Sequence, residues 1–183
     1  MSNQPRLTDG NILLRRYRDA DAEPVYWALQ ESIDEISPWM PWCHEGYSLQ
    51  ESIEWVNTRD EAWRNGIDFD FVITDVKDGS ILGGCGLNHI EDNDRLANLG
   101  YWVRTSKTGR GIASAATRLL ARFALKELKL NRLEIVVAVD NIASQRAAAR
   151  SGAKREGILR KRTVVRDRIH DAVMFSLVAE DLQ

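Results

Sequence analysis

The chain has 183 residues, of which 44% are hydrophobic and 28% charged, and its formal net charge is -2. That size and balance fit one solvated domain with a real core, and the near-neutral charge argues against bulk electrostatic binding of nucleic acid. No apolar run approaches the ~20 residues of a membrane helix, the opening MSNQPRLTDG lacks the apolar stretch of a signal peptide, and the two cysteines, Cys43 and Cys85, lie in unrelated segments without metal-site spacing. The expectation is a soluble, cytoplasmic protein with a single domain over residues 1–183, reduced thiols, a buried Cys85 and no bound metal.

Taken in chain order, Asn11 to Tyr17 reads as a short strand after the Asp9-Gly10 turn. Asp19 is placed to cap a helix running through Ala28 to about Glu31, with Pro24 tolerated near its first turn. Pro38 and Pro41 keep Ser37 to Trp42 irregular. Ser48 then caps a second helix, with Glu51 completing a capping box. Leu49, Ile53, Val56 and Trp63 fall on one face of it, and Asn65-Gly66 ends it. Trp27, Trp55 and Trp63 sit at helical spacings and are assigned to the core.

The middle of the chain is β-rich. Phe69 to Val76 and Ile81 to Ile90 form strands around the turn at Lys77-Asp78-Gly79, and Leu96 to Val103 forms a third. In that third strand Leu99, Tyr101 and Val103 share one face, Gly100 and Trp102 the other. The period then changes. Ile112, Ala115, Ala116, Leu119, Leu120 and Phe123 make a helical stripe with Arg118, Arg122 and Lys126 opposite. Arg132 to Val139 reads as a strand buried on both faces, and Asn141 to Ser151 as a helix closed by Gly152. Strands at Ala153 to Val165 and Ile169 to Val178 complete one α/β domain with a mixed, mostly antiparallel sheet.

The stretch with chemical content joins the third strand to the long helix. Gly109 and Gly111 let the backbone turn sharply and approach a bulky anion. The first amides of the helix lack internal partners, and its dipole favours negative charge there. Together they make a diphosphate cradle, with Lys107 and Arg110 beside it. A kinase-type GxxxxGK[ST] string is absent, and the GRGIAS string lacks the third glycine of a dinucleotide site. An ordinary strand-to-helix turn with a glycine cap explains this segment alone about as well.

The wider pattern is more specific. Ser106-Lys-Thr-Gly109-Arg-Gly111 is followed by Asp140-Asn141-Ile-Ala-Ser144, then Ser151-Gly152-Ala153 and Glu156-Gly157. Leu99-Gly-Tyr-Trp-Val, Pro38-Trp39 and Pro41-Trp42 precede these, and Asp171 lies in the last strand. In order and spacing this resembles the GNAT acyltransferase superfamily, and within it the bacterial ribosomal-protein N-terminal acetyltransferases, from about Leu13 to Leu182. The resemblance implies a GNAT-like α/β fold of about seven strands and about four flanking helices, with the fourth and fifth strands splayed. It implies acetyl-CoA as co-substrate, no metal, and an amine acceptor, foremost the N-terminus of a ribosomal protein. A small amine as acceptor, a non-catalytic acyl-CoA-binding module and a homodimer are carried as further expectations.

Roles follow from the same resemblance. Trp102 and Val103 would flank the pantetheine arm. Lys107, Thr108, Gly109 and Arg110, with Gly111, Ile112 and Ala113, would hold the diphosphate. Asn141 and Ser144 would lie near the thioester. The backbone near Tyr101 would polarise its carbonyl, and Ser144 would give a proton to the departing thiolate. Glu91 is the first candidate base, with His170 and Asp70 behind it. Trp39, Trp42 and Asn88 would line the acceptor pocket. Ser106 stands where the family has Arg or Gln, Ala148 where many members have a donor Tyr, Ala153 where Phe is usual, and Asn98 where related sequences often have an acid. Simpler roles compete: a helix-turn hydroxyl for Ser144, an N-cap for Asn141, a solvated turn carboxylate for Glu91. At pH 7 an α-amino group costs ~1.4 kcal/mol to deprotonate and a lysine more than ~4 kcal/mol, so a site without a strong base suits the former.

Overall fold

The structure is a computed structural model and describes residues 4–182. Its sheet has the strand order β1-β2-β3-β4-β5-β6-β8-β7. The strands are β1 (Arg6–Thr8), β2 (Ile12–Arg15), β3 (Phe69–Asp75), β4 (Ile81–Glu91), β5 (Leu96–Val103), β6 (Arg132–Ala138), β7 (Lys154–Val165) and β8 (Arg168–Leu177). Every neighbouring pair is antiparallel except β5 and β6, which run parallel. The helices are α1 (Ala22–Gln30), α2 (Ile33–Ile36), α3 (Leu49–Arg64), α4 (Ile112–Lys126) and α5 (Ile142–Arg150). The sheet has eight strands rather than about seven. The extra strand, β1, is three residues long, too short for alternation to mark it. The extra helix, α2, is a single turn ahead of Pro38.

Alternation along β5 divides the molecule. Leu99, Tyr101 and Val103 face a core built on α4, where Leu120, Ala121 and Ala124 are fully buried. Trp102 faces a second core made with α1 and the Cys43–Tyr47 segment, which contains Tyr17, Val25, Leu29 and Val72. Strand β6 contributes Leu133, Ile135 and Val137 to the first core. It is not buried on both faces as expected: Glu134 and Val136 alternate as half-buried residues, Val136 lining a cavity and Glu134 paired with Arg132 at 3.0 Å. Both cysteines are free and buried.

Helix ends follow their local chemistry. Ser48 Oγ accepts from the Glu51 amide while Glu51 accepts from the Ser48 amide at 2.8 Å, so the expected capping box forms. Asn141 Oδ1 accepts from the Ser144 amide at 3.0 Å and caps α5. Asp19 does not cap α1. It opens a 3-10 turn, and the buried Asp21 carboxylate takes the Arg18 amide and the Arg15 guanidinium instead. Trp27 is 57% exposed rather than in the core. The buried stripe of α1 is Ala22, Val25, Ala28 and Leu29, which turns position 27 outward, where its indole donates to Glu23 at 3.4 Å. Leu49 is likewise exposed. The inward side of α3 carries Ser52, Val56 and Ala62, and Ser52 Oγ donates to the Ala22 carbonyl at 2.7 Å, tying α3 to α1. Among the described residues no helix is long and apolar enough to cross a membrane.

Candidate active site

The parallel pair β5–β6 is joined at three positions, Leu96↔Arg132, Ala97↔Leu133 and Asn98↔Glu134. Beyond them the two strands part. Each keeps its outer neighbour, β4 for β5 and β8 for β6. Residues 99–103 therefore line a slot with one ladder edge unused, and an extended ligand can pair there as a strand would. This is the expected splay.

The slot runs toward the start of α4. Gly109 and Gly111 hold φ of +74° and +78°, and a Cβ at either would meet no atom within 4 Å. The amides of Gly111, Ile112, Ala113 and Ser114 find no acceptor among the described residues. Positive φ at the N-cap, open space and free amides at a helix start are what a diphosphate requires. Lys107 is half-buried and Arg110 exposed beside them. Thr108 turns its hydroxyl to the Thr105 carbonyl at 2.9 Å, Ile112 packs into the first core, and the Ala113 carbonyl accepts from Thr117 Oγ1. The preceding turn is anchored by Glu31. Its carboxylate takes the Ser106 amide at 2.8 Å and Arg104 Nε at 2.6 Å. Arg104 first, then Ser106, hold this carboxyl down to about 2. A depressed folded-state pKa gives stability that is complete above the ordinary glutamate range and is lost as pH falls toward about 2. Glu31→Gln is therefore expected to flatten the fall of the urea midpoint between about pH 5 and about pH 3; an equally steep fall in the variant would show that this carboxylate contributes nothing.

Tyr101 crosses the slot. Its hydroxyl donates to the Ser144 carbonyl at 2.8 Å and lies 3.1 Å from Ser144 Oγ. Burial pushes the phenol upward, while the Ser144 hydroxyl pulls it down. On the other face of the sheet lies a cavity of about 630 Å³, lined among others by Trp39, Trp42, Trp55, Trp102, Asn88 and Asn98. A carboxylate stands at its floor. Asp70 Oδ2 accepts from Arg59 Nη1 at 2.7 Å, and Arg59 is itself held over the Trp55 ring at 4.6 Å. Burial raises the Asp70 pKa, and Arg59 opposes it. Asn98 Nδ2 donates to Asn88 Oδ1 at 2.9 Å. Tyr101 and Trp102 line the cavity as well as the slot, so the two openings meet there.

Comparison with known proteins fits this geometry. The family described as "Acetyltransferase (GNAT) domain" matches residues 11–154. The chain belongs to the GNAT acetyltransferase family. It is therefore an acyltransferase that uses acetyl-CoA. It is 31% identical over 176 residues, 93% of both chains, to Bacillus subtilis YdaF, a protein provisionally named as a ribosomal N-acetyltransferase. It is 30% identical over 104 residues, 57% of this chain and 58% of the other, to the ribosomal-protein-serine acetyltransferase of Escherichia coli K12. Among solved structures, Mycobacterium smegmatis RimJ in complex with CoA-disulfide superposes with a TM-score of 0.85 at 26% identity, covering 98% of this chain and 88% of that one.

Within this GNAT frame the singled-out residues separate into groups. Tyr101, Trp102, Asn141 and Ser144 gather at the slot, the loop from Lys107 to Ala113 at its end, and Trp39, Trp42 and Asn88 around the cavity. Glu91 stands apart. It is exposed at the end of β4, accepts the Asn93 amide at 3.1 Å, and does not line the cavity. His170 is mostly buried against Trp39, with ring centroids 6.4 Å apart, and faces Asp140 at 4.0 Å. His44 Nε2 donates to the Glu51 carboxylate at 2.9 Å. Sequence reading gave Arg59 no role and Trp55 only a core one, whereas both line the cavity. Arg59 and Trp55 lie four apart on α3, a spacing that puts both on one helix face and was open to recognition.

Proposed function

We propose that the protein moves an acetyl group from acetyl-CoA directly to the α-amino group of a protein N-terminus. The observation that carries this is the meeting of slot and cavity at Tyr101 and Trp102, which brings a thioester from one side to an amine from the other. The free edge of β5 and the amides of Gly111 to Ser114 would hold the coenzyme. Acetyl-CoA supplies an activated acyl carbon. The amine forms an N–C bond to that carbon, the C–S bond breaks, and the thiolate needs a proton. Ser144 and Tyr101 lie at the slot as a hydroxyl pair. The Tyr101 hydroxyl, 3.1 Å from Ser144 Oγ, is placed to return a proton to Ser144 once it has donated. The names of two relatives refer to ribosomal proteins, which supports a ribosomal-protein acceptor. The cavity, at about 630 Å³, also suits a small-molecule amine.

The test is thiol release from acetyl-CoA with peptides bearing free N-terminal serine or alanine, set against small amines. Turnover above the hydrolysis blank is expected with the peptides. Turnover confined to small amines would replace the acceptor, and none with any amine would leave a binding module. Ser144→Ala is expected to slow transfer about a hundredfold, the low end for a proton donor, with coenzyme affinity retained because the Asn141 cap contacts only the backbone amide. An unchanged rate would remove Ser144 from the reaction.

A further inference from the structure

We propose that the acceptor amine is received in a bay over Gly100, and that Asp70 takes the proton it sheds. This rests on the acetyl-transfer reading above. Strands β3, β4 and β5 align Asp70 with Gly86 and Gly86 with Gly100. Directly paired residues share a face, and all three line the cavity. The first glycine makes room for the carboxylate: a Cβ on Gly86 would stand 2.1 Å from Asp70 Oδ1. The second leaves space, since a Cβ on Gly100 would meet no atom within 4 Å. Strands are ~4.8 Å apart, so an amine over Gly100 lies about one strand spacing from Oδ1. On its other side β5 has already parted from β6, whose last paired rung is at Asn98.

The carboxylate is presented by its fixed oxygen. Oδ2 is held by Arg59, which also donates to the Trp55 carbonyl at 3.1 Å. No described residue donates to Oδ1. Along β5 the bay is bounded by Trp102 on one side and the Asn88–Asn98 pair on the other. An aromatic face and amide oxygens both suit an ammonium or amine. The proton balance also works. The nitrogen becomes much more acidic as the N–C bond forms, so a carboxylate is a sufficient base at that moment. The proton passes from nitrogen to Oδ1 and then to water, while the thiolate is protonated from the Ser144 side. Glu91, by contrast, lies outside this cavity.

Two variants test this with acetyl-CoA and the serine and alanine peptides. Asp70→Asn keeps size and the Arg59 contact but cannot take a proton. It is expected to lower kcat roughly a hundredfold, with coenzyme A affinity by calorimetry unchanged. Gly100→Ala fills the bay without a clash and is expected to raise the acceptor KM severalfold, again with coenzyme affinity kept. If the wild-type protein turns over and Asp70→Asn matches it within twofold, Asp70 is not the proton acceptor and acetyl transfer stands. If Asp70→Asn fails to bind coenzyme A, it is misfolded and Gly100→Ala decides; an unchanged acceptor KM then overturns the bay. If the wild type releases no thiol with any amine, both readings fall together.

Discussion

Gly83→Ala is expected to cost about 4 kcal/mol of stability, which for a domain of this length lowers the melting temperature by roughly 10 °C. The cause lies at one rung of the sheet. Gly83 pairs with Val103 at a φ of +155°, and a Cβ there would stand 2.1 Å from the Trp102 carbonyl oxygen and 2.9 Å from the Val103 Cα. Both neighbours are backbone, so no side chain can swing away. Forcing packed structure apart costs ~1–3 kcal/mol, and a side chain held in a sparsely populated backbone region adds ~1–3 kcal/mol. Gly157→Ala is the control, because a Cβ there meets nothing within 4 Å. It should melt with the wild type. A far-UV circular dichroism melt reads both, and coincident curves for Gly83→Ala would show that β5 yields at Trp102.

The second large effect concerns the coenzyme. Gly111→Val is expected to weaken coenzyme A binding roughly a hundredfold, the loss of about two charge-assisted hydrogen bonds at ~1.5 kcal/mol each. A β-branched residue strongly resists a φ of +78°. The N-cap would rotate and take the following amides out of aim. Backbone strain alone is controlled by Gly79→Val, which sits at a φ of +73° in the turn between β3 and β4, also with nothing within 4 Å. That variant should lose similar stability and keep its affinity. Calorimetric titration separates them. Equal affinity in Gly111→Val and wild type would place the diphosphate elsewhere.

Much of the fold was legible because its signals are local. The two-residue period of β5 put Leu99 and Tyr101 on one face and Trp102 on the other, and the structure packs those faces into separate cores. The Ser48–Glu51 box and the Asn141 cap were readable from residue type and spacing. Failures came where the deciding partner lies far along the chain or the element is too short to carry a period. Strand β1 exists because β2 offers it an edge. Trp27 and Leu49 were misplaced because helical spacing gives a stripe without saying which neighbour covers it. The same holds for the site. The turn holding Gly109 and Gly111 is contiguous and announced itself. Asp70 ranked low because nothing near it in sequence says that Gly86 lies beneath its carboxylate and Gly100 beyond. Glu91 ranked high for its place at a strand end, a position that proved to be on the surface.

The three-rung seam between β5 and β6 has a further consequence. Strands β1 to β5 come from the first part of the chain and β6 to β8 from the last, so the sheet is two consecutively wound leaves bound along a short spine. An extended guest laid into the gutter between them would become a ninth, borrowed strand for residues 99–103. Those amide protons of β5 that point into the gutter rather than toward β4 should exchange quickly in the empty protein and slowly once the guest is seated. Because the gutter is open in the resting fold, little of the binding free energy is diverted to prising the leaves apart.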